Sequence, residues 1–495
     1  MVIVCIERRY YMNTDTAFFA DYNCLTTAEG LLSSNMENVL VTYDMFFRDI
    51  PDNGGFAIMS GLHRLIEKLS EISFDVGDLE RLREMGFSQK LIDYLKNFRF
   101  SCDVYAMPEG TPVFPNEPIV KVRGPALQAQ LIETLLLNTV NHETLIATKA
   151  NRVVRAASGR KVFESGARRA HGFDAAVDGA RAAYVGGVNA TTLYPASEKY
   201  GIPLFTMMGH GWVQLFDSEL DAFKAYLEEH GEEGVLLVDT YDTLDSGVKN
   251  AVEAFNTVLV PKGLRPAGII IDSGDMTYLS KRARRILDES GFPDCDIYVS
   301  NSLDEVLIKD MLNQGAKIDG FIVGEKLLTS ASSPVLDGVY KLSETEKNGV
   351  KTPAIMVSNN VSKITTPCSK RVWRLFDMES GKAIADVMTL DSESIGDEKT
   401  YSLFDPDFTW KRKTVDNFVA REMLVEVFRK GECVYNIPSL EEVRAYCNEQ
   451  VSTLWEEVAR FENPHKYYVD FSGKLWGVKQ SLIEKITRCS ETEEA

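Results

Sequence analysis

The feature that most constrains the fold is a repeated alternation of short apolar runs and helical segments between residues 162 and 323. Each run ends in glycine or a polar residue and is followed by a helix-like segment such as MTYLSKRARRILDES at 276–290. Buried parallel strands read as near-continuous apolar runs, and helices connect such strands, so the pattern predicts a parallel sheet. The clearest runs are VLLV (235–238), GIII (268–271), IYV (297–299) and FIV (321–323).

Three earlier runs fit this pattern less cleanly, namely VFE (162–164), AAYVGG (182–187) and GIPLF (201–205). Seven runs in all favour a nearly complete α/β barrel. An open, doubly wound sheet has the same sequence pattern, however, and the pattern does not separate the two. The predicted fold class is therefore α/β, with the closure of the sheet left open at this point.

The segment before the alternation has a different character. Residues 1–145 mix helical and strand signals, and an apolar stripe spaced i, i+3, i+4 predicts a helix over 62–72. Prolines and glycines punctuate short β-type runs at 104–125, which predicts hairpins or a small sheet. We interpret 1–145 as an N-terminal α+β domain.

The rest of the chain divides into two further segments. We assign 146–355 to the α/β barrel that carries the site, and 356–495 to a smaller, supporting C-terminal region. The C-terminal sequence is mixed and charged, and its apolar spacing predicts helices near 416–429 and 439–462.

Charge and hydropathy argue against two kinds of partner. The chain has 495 residues and 54 Lys and Arg against 73 Asp and Glu, a net charge of −19, which repels a nucleic-acid backbone. It contains no run of about 18 apolar residues, and the order of apolar and charged residues at 1–11 is the reverse of a signal peptide's. Eight scattered cysteines without metal-ligand spacing indicate reduced thiols. We expect a cytoplasmic protein with no nucleic-acid partner and no membrane association.

Polar residues or glycine follow each of the four clearest runs. The carboxyl ends of parallel strands meet at one face, so we expect these residues to be neighbours, and this is where α/β enzymes place their chemistry. The residues are Asp239, Asp242, Asp272, Asp275, Asn301 and Gly324.

Two basic features follow the earlier runs. Arg168 and Arg169 come just after the run at 162–164, where their guanidinium groups can bind carboxylate or phosphate at two points. The alternative is a solvated face or a structural ion pair. His210 lies between two glycines, and small neighbours let a ligand approach the ring, although a lone histidine is more often an ordinary core or surface residue.

The acidic turn DSGD at 272–275 also has two interpretations. Its carboxylates suit a Mg²⁺ ion or ribose hydroxyls at the end of a strand. Equally, an Asp or Ser there would cap the helix that follows by accepting from its free N–H groups. The turn DTYDT at 239–243 has the same ambiguity.

Segments along nearly the whole chain follow one family's sequence in order. The central ones are GFAIMSGLHRLIEKL (55–69), QLIETLLLNTVNHETLIATKA (130–150), RRAHGFDAAVDGARAA (168–183), VDTYDTLDSG (238–247), DSGDMTYLSKRARRILDESGF (272–292), VYKL (339–342) and KITTP (363–367). WEEVARF at 455–461 extends the likeness beyond them. Taken together, these segments resemble the nicotinate phosphoribosyltransferase family.

The resemblance implies an activity and a fold. The family joins nicotinate to 5-phosphoribosyl-1-pyrophosphate, giving nicotinate mononucleotide and pyrophosphate in NAD salvage, with ATP hydrolysis coupled to the transfer. It implies an irregular, incomplete α/β barrel with an N-terminal α/β domain and a smaller C-terminal domain. It also implies Mg²⁺ as cofactor, ATP as co-substrate, and a homodimer with the site near the subunit interface.

The resemblance also implies residue roles. His210 matches the family's phosphorylated histidine, and Arg168 and Arg169 match its double arginine, which faces anionic groups. Asp272 and Asp275 match acidic positions near the ribose, Mg²⁺ and pyrophosphate, so both are catalytic and metal-binding candidates. The remaining candidates for substrate binding are Tyr22, Thr191, Asp242, Ser273, Asn301 and Gly324.

Several positions depart from the family pattern. The family's stacking aromatic falls on Asn23, with Tyr22 one place early, and the other departures are Leu193, Gly211, Ile270 and Glu325. Glu325 stands where the family has a threonine beside a bound phosphate. Either Lys326 neutralises it, or its side chain turns away, or the 5-phosphate is not bound in the usual manner. The departures keep an alternative open, a paralogue with an altered acceptor or a non-catalytic binding subunit. A phosphate-binding barrel enzyme of unrelated chemistry is a more distant third.

Overall fold

The computed structural model describes residues 19–396 and 399–493, which form two compact units. The first unit combines the described residues up to 144 with residues 336–439 and those from 446 onward. The second unit comprises residues 145–335 and 440–445. The first unit thus draws on both the predicted N-terminal domain and the predicted C-terminal region.

The strands of the described residues are β1 Leu40–Phe47, β2 Ala57–Ile58, β3 Asp103–Ala106, β4 Pro112–Val113, β5 Val120–Pro125, β6 Lys161–Glu164, β7 Ala190–Thr191, β8 Val235–Leu237, β9 Gly268–Ile271, β10 Asp296–Val299, β11 Gly320–Val323, β12 Gly338–Lys347, β13 Val350–Pro353, β14 Lys370–Asp377, β15 Ala383–Leu390, β16 Thr400–Phe404, β17 Arg412–Asp416, β18 Phe418–Glu422, β19 Val425–Arg429, β20 Glu432–Cys433 and β21 Val469–Phe471.

The α-helices of the described residues are α1 Tyr22–Ser33, α2 Leu62–Glu71, α3 Val76–Glu84, α4 Gln89–Lys96, α5 Ala126–Leu131, α6 Glu133–Ala156, α7 Phe173–Val185, α8 Tyr194–Tyr200, α9 His210–Gln214, α10 Glu219–His230, α11 Val248–Ala254, α12 Met276–Glu289, α13 Glu305–Asn313, α14 Glu325–Leu328, α15 Leu440–Ser452, α16 Glu456–Ala459 and α17 Gly473–Glu493. Among the residues that the structure describes, no helix is both long and apolar enough to cross a bilayer.

The second unit is built on a parallel sheet with the strand order β7-β6-β11-β10-β9-β8. Its central strands are apolar on both faces: the side chains of Ile269, Ile270 and Ile271 in β9 are all fully buried. Such two-sided burial explains why these strands read as continuous runs rather than alternating ones. In the described residues β7 and β8 are edge strands, so the predicted incomplete α/β barrel is confirmed.

Two of the predicted strands of this sheet are wrong. The run AAYVGG at 182–187 is the end of α7 and the turn after it, and the strand comes later, at β7. The alanine-rich stretch has high helix propensity, and Ala182 and Ala183 continue the buried face of α7. The run GIPLF at 201–205 contributes one isolated bridge, from Leu204 to Thr191.

The first unit contains a seven-stranded sheet in the order β13-β12-β1-β5-β3-β19-β20 and a four-stranded sheet in the order β18-β14-β15-β21. The predicted helix over 62–72 is confirmed as α2, and the predicted β structure at 104–125 as β3, β4 and β5. The helix predicted at 439–462 is confirmed as α15 followed by α16, with a break at residues 453–455.

The helix predicted near 416–429 is wrong, because this segment forms strands β18 and β19. The strand β18 pairs antiparallel with β14, and Phe418 joins a core cluster with Trp373, Leu375 and Val387. Over so short a segment the apolar spacing fits both the helical and the strand period, and pairing with β14 selects the strand.

A buried ionic cluster lies between the strands of the first unit. Arg374 donates from Nε and Nη2 to the two carboxylate oxygens of Asp386 at 2.8 and 2.7 Å, and both side chains are 0% exposed. The Tyr467 hydroxyl donates to Asp386 Oδ1 at 3.0 Å. Burial, together with the nearby charge of Asp386, raises the pKa of Glu117 well above its usual range.

Candidate active site

Most of the predicted site residues lie in the second unit, in the loops near the carboxyl ends of β6 to β11. Neighbouring strands of this sheet are parallel, so these loops share one edge. The residues are Arg168, Arg169, Thr191, His210, Asp242, Asp272, Ser273, Asp275, Asn301 and Gly324. Tyr22 is the exception: it begins α1 in the first unit, is 60% exposed and packs edge-on against Phe87.

His210 is the first residue of the short helix α9. The helix is attached to α10 through the Trp212 indole N–H, which donates to the carbonyl of Ala222 at 3.0 Å. His210 Nδ1 lies 3.1 Å from Thr240 Oγ1, and Nε2 lies 3.7 Å from Asp272 Oδ2. Both ring nitrogens therefore face polar groups of the loops that follow β8 and β9.

The space beside His210 is open. A Cβ atom added to Gly209 or to Gly211 would meet nothing within 4 Å. The His210 side chain itself is 42% exposed. A group the size of a phosphoryl can therefore approach the ring, as the two flanking glycines led us to expect.

A buried carboxylate, Asp239, orders the loop after β9. Its Oδ2 accepts from the backbone N–H of Asp272 at 3.0 Å and from the Ser273 hydroxyl at 2.5 Å. Its Oδ1 is buried and has no hydrogen-bond partner within the described part of the chain. Asp239 follows β8, so it couples two neighbouring strand ends and fixes where Asp272 and Ser273 lie.

Asp272 and Asp275, the predicted metal-binding pair, have different local roles. Asp272 Oδ1 accepts from the Ser300 hydroxyl, and its side chain is 39% exposed. Asp275 is the N-cap of α12 and accepts from the backbone N–H of Tyr278 at 2.9 Å, so the capping interpretation is correct for this residue.

These two carboxylates suit a shared rather than an enclosed cation. Within the described residues no group of three or more His, Cys, Asp or Glu side chains could hold a metal ion. Mg²⁺ is commonly held by one or two carboxylates and completes its shell with water and substrate phosphate oxygens. Asp272 and Asp275 have the chemistry of that kind of site.

Asp242 also has a capping role. Its Oδ1 accepts from the backbone N–H groups of Leu244 and Asp245, at 3.0 and 2.5 Å, at the start of the π-helical turn Thr243–Gly247. Gly247 has no room for a side chain, because a Cβ would lie 1.7 Å from the carbonyl oxygen of Val238. The turn therefore packs directly on the end of β8.

The loops after β6 and β11 are in backbone contact. A Cβ on Gly166 would lie 2.7 Å from the carbonyl oxygen of Gly324, and a Cβ on Gly324 would lie 3.0 Å from the carbonyl oxygen of Ser165. Any side chain at Gly166 would force the two loops apart. The close approach brings the double-arginine loop against the loop that carries Glu325.

Glu325 is paired across this contact. Its Oε1 accepts from the Ser302 hydroxyl at 2.7 Å, and its Oε2 lies 3.8 Å from Arg169 Nε. Of the alternatives for Glu325, neutralisation by Lys326 does not occur, because Lys326 Nζ binds Asp304 Oδ2 at 2.7 Å instead. Adjacent residues on a helix point in different directions, which explains why Glu325 and Lys326 have separate partners.

Thr191 is fully buried, and its hydroxyl is engaged within the protein. It donates to Glu164 Oε2 at 2.5 Å, while the Glu164 Oε1 accepts from the backbone N–H of Gly166. Burial raises the pKa of Glu164. Thr191 and Glu164 together hold the loops after β7 and β6 in place.

The loop after β10 has an unusual backbone. Asn301 and Ser302 both have positive φ, 86° and 47°. The loop leads into α13, whose first residue, Glu305, is buried and binds Lys149 Nζ at 2.7 Å and Arg152 Nε at 3.0 Å. This buried ion pairing anchors the helix that follows the turn.

The sequence leaves the roles of several residues of this network open or unmentioned. It gives Asp239 and Thr240 only the two interpretations of their turn, and it does not single out Glu164, Ser300 and Ser302. Each is a small or acidic residue within three residues of the end of a strand, and that position is the signal that marks them. Their partners become apparent only when the strands are arranged in the sheet.

The chain matches proteins of known activity along most of its length. The nicotinate phosphoribosyltransferase (NAPRTase) N-terminal domain profile matches residues 19–141, and the C-terminal domain profile of the same family matches residues 369–479. The chain is 38% identical to nicotinate phosphoribosyltransferase of Bacillus subtilis (strain 168), over 98% of each chain. It is 35% identical to nicotinate phosphoribosyltransferase pncB2 of Mycobacterium tuberculosis, covering 93% of this chain and 92% of that one.

Solved structures show the same fold. Human nicotinic acid phosphoribosyltransferase superposes with a TM-score of 0.80, covering 94% of this chain and 99% of that one at 24% identity. Nicotinate-nucleotide pyrophosphorylase from Pyrococcus furiosus gives a TM-score of 0.68 at 23% identity, covering 90% of this chain and 98% of that one. On the sequence identity over almost its full length, the chain belongs to the nicotinate phosphoribosyltransferase family.

Proposed function

We propose that this enzyme transfers the phosphoribosyl group of 5-phosphoribosyl-1-pyrophosphate to nicotinate, releasing pyrophosphate and forming nicotinate mononucleotide in NAD salvage. The observation that carries the proposal is the 38% identity to the Bacillus subtilis enzyme over 98% of both chains. The strand-end cluster of the second unit supplies the chemistry. A substrate-depletion assay with nicotinate and the phosphoribosyl donor tests it.

The reaction needs charge complementarity more than a protein nucleophile. As the bond from C1′ to pyrophosphate breaks, the ribose becomes cation-like and the leaving group gains negative charge. Arg168 and Arg169, both exposed on the loop after β6, are placed to bind anionic oxygens. The nicotinate nitrogen then attacks C1′, which the site promotes by holding both reactants in position.

Asp272 and Asp275 are the residues that would hold Mg²⁺ together with the donor's phosphate oxygens. When bound, the cation offsets the negative charge of the leaving pyrophosphate. Asp239 acts before any substrate arrives: its hydrogen bonds to Asp272 and Ser273 fix the loop, so the carboxylates need not reorganise during the reaction.

ATP is the proposed co-substrate, and His210 is the proposed phosphate acceptor. An imidazole nitrogen attacks the γ-phosphorus of ATP, the bond to the bridging oxygen breaks, and ADP leaves. The open space at Gly209 and Gly211 supports this assignment, and Arg168 and Arg169 are candidates to bind the new charge.

His210→Ala is expected to abolish the stimulation by ATP, because the substitution removes the ring that accepts the phosphate. The helix α9 should stay in place, because Trp212 still attaches it to α10. Labelling with γ-labelled ATP should give an acid-labile phosphate on the wild type and none on the variant. His171, an exposed histidine on the double-arginine loop, supplies a matched control: His171→Ala should retain the label. Equal labelling of wild type and His210→Ala would rule the assignment out.

Glu325→Thr is expected to change the donor KM less than about fivefold, because an exposed ion pair contributes about 0–1 kcal/mol. Glu325 accepts a hydrogen bond from Ser302 and lies beside Arg169, so these two residues compensate its negative charge. An uncompensated carboxylate about 4 Å from a phosphate would cost about 4 kcal/mol at an effective dielectric near 20. A KM decrease of hundreds-fold in Glu325→Thr, without a similar change in Glu325→Asp, would show that the carboxylate is uncompensated.

We also propose that the protein is a homodimer in the cytoplasm, acting on small molecules. The homodimer rests on the family resemblance, and Tyr22 is the candidate for contact with the pyridine ring. The described cysteines are free thiols, which supports a reducing compartment. Light scattering coupled to gel filtration measures the oligomeric state directly.

The alternative, a paralogue with a changed acceptor or a non-catalytic subunit, is less well supported. Its basis is the set of departures from the family pattern. The most severe of them, Glu325, has a local partner, and the His210, Asp272 and Asp239 network is intact.

A further inference from the structure

A buried carboxylate at the end of β6 lies beside the loop that carries the two arginines. Glu164 is the last residue of β6, and its side chain is 0% exposed. Within the described part of the chain it forms no ion pair. Burial raises its pKa, and the two hydrogen bonds that it accepts oppose this shift. A buried charge without a counter-charge is costly, so a carboxylate at this position needs a specific reason.

The two oxygens of Glu164 accept hydrogen bonds from two different loops. Oε1 accepts from the backbone N–H of Gly166, at the start of the double-arginine loop, residues 165–172. Oε2 accepts from the hydroxyl of Thr191, at the end of β7, at 2.5 Å. An ionised carboxylate only accepts hydrogen bonds, and it does so at both oxygens. It is therefore the side chain that suits two donors, one from each loop.

Gly166 connects this contact to the arginines. Its carbonyl accepts from the backbone N–H of Arg169 at 2.8 Å, which closes the 3₁₀ turn Ala167–Arg169. The loop after β11 limits its movement, because a Cβ on Gly166 would lie 2.7 Å from the carbonyl oxygen of Gly324. The position of the Gly166 N–H on Glu164 therefore sets the position of the turn.

The turn in turn decides where the two guanidinium groups project. Both arginine side chains are exposed, that of Arg169 by 71%, and the pair of Arg169 with Glu325 is long, at 3.8 Å. Exposed side chains with such loose contacts do not fix the backbone beneath them. The backbone has to be fixed from within the protein, and the contact of Glu164 with Gly166 does this.

Thr191 gives Glu164 a stationary donor. Its Oγ1 accepts from the backbone N–H of Leu193 at 3.0 Å. Its backbone N–H donates to the carbonyl of Pro203 at 3.0 Å, and its carbonyl accepts from the N–H of Phe205 at 2.9 Å. Glu164 thus ties the double-arginine loop to a fixed point on β7.

We infer that Glu164 is a positioning residue, which holds the double-arginine turn in the geometry that binds the phosphate oxygens of the donor and of pyrophosphate. The inference rests on the role proposed above for Arg168 and Arg169. It also changes the interpretation of Thr191, whose hydroxyl serves Glu164 rather than a substrate. Glu164 and Thr191 act through the arginines and do not themselves contact the anion.

The test measures the dissociation constant of pyrophosphate by isothermal titration calorimetry, with Mg²⁺ and the full-length protein. Pyrophosphate binding needs neither nicotinate nor turnover, so it is independent of the acceptor. The KM values of donor and nicotinate are measured alongside it. The double variant Arg168→Ala/Arg169→Ala shows whether the arginines bind the anion.

Asn189→Ala is the matched control for a general loosening of the two strands. Asn189 Oδ1 accepts from the backbone N–H of Val162 at 2.8 Å. This bond joins β6 to the residue before β7, two residues ahead of the contact between Glu164 and Thr191. We expect Asn189→Ala to lower the free energy of unfolding in urea while leaving pyrophosphate binding unchanged.

In Glu164→Ala, we expect pyrophosphate binding to weaken about tenfold and the donor KM to rise by a similar factor, the order of effect of losing hydrogen bonds that hold a site. The KM of nicotinate should change less than about twofold. Glu164→Gln should restore most of the affinity, because its amide oxygen can accept from Gly166 while its nitrogen donates to Thr191. Thr191→Val, which keeps the shape, should weaken binding about threefold and carries the test if Glu164→Ala does not fold.

Three results would overturn the inference. They are wild-type pyrophosphate binding in both Glu164→Ala and Thr191→Val, equal weakening in Asn189→Ala and Glu164→Ala, and binding by Glu164→Gln that is no better than by Glu164→Ala. Unchanged binding in the double arginine variant would overturn the proposed role of the arginines and this inference with it. Weaker binding in that variant alone would refute only the role of Glu164.

Discussion

Arg374→Met is expected to lower the free energy of unfolding of the first unit by about 3–5 kcal/mol, the usual cost of leaving one member of a buried ion pair without its partner. Asp386 would keep its place on β15, opposite position 374 of β14, but lose both donors of the guanidinium group. The Arg374 Nη2 also donates to the carbonyl of Pro112 at 2.8 Å, so this acceptor would be left unsatisfied as well. Urea denaturation of wild type and variant measures the difference.

Glu117→Gln is the matched control within the same cluster. Burial raises the pKa of Glu117, so the folded state binds a proton more tightly than the unfolded state does, and the wild type loses stability as pH rises above the unfolded pKa of about 4.3. Glutamine does not titrate. Between about pH 4 and pH 7 the free energy of unfolding of the variant should therefore rise relative to that of the wild type. A loss of stability in Glu117→Gln as large as in Arg374→Met would contradict this account of the cluster.

Asp239→Ala is expected to reduce kcat by about a hundredfold, since displacement of a catalytic loop by about 1 Å has an effect of that order. The substitution removes the acceptor for the Asp272 N–H and the Ser273 hydroxyl, so Asp272 loses its fixed position beside His210. Steady-state kinetics with saturating nicotinate and donor measures the change.

Asp239→Asn separates position from charge. Its amide oxygen can accept the two hydrogen bonds that Oδ2 accepts now, while the amide nitrogen would take the place of the unpartnered Oδ1. We expect most of the activity to return in this variant. Asp245→Asn, at a side chain that is 87% exposed on the same segment, should be indistinguishable from wild type. If Asp239→Ala were as active as Asp245→Asn, Asp239 would have no positioning role.

The central strands of the second unit could be predicted from the sequence because their signal is local. Strands β9, β10 and β11 are continuous apolar runs, so both their existence and their parallel arrangement follow from the pattern. Placing the polar residues after them at a common edge then required only the rule for parallel sheets. The proximity of His210 to Asp272, by contrast, depends on the path of the chain through α9 and did not follow from the pattern.

The remaining details depend on tertiary contacts that no local pattern encodes. Residues 182–187 and 418–429 each suit two secondary structures, and packing decides between them. Likewise, Glu325 binds Ser302 and not its sequence neighbour Lys326, because the partner is set by how the loops after β10 and β11 meet. Capping by Asp275 and Asp242 was one of two interpretations that the sequence could not separate.

The most direct test of the proposed function is product identification by mass spectrometry after incubation with donor, Mg²⁺ and ATP and with nicotinate, nicotinamide or quinolinate as acceptor. The account predicts nicotinate mononucleotide as the main product in wild type, faster formation with ATP than without, and strongly reduced formation in Asp272→Ala. Absence of any nucleotide with all three acceptors, or equal formation by Asp272→Ala and wild type, would contradict it.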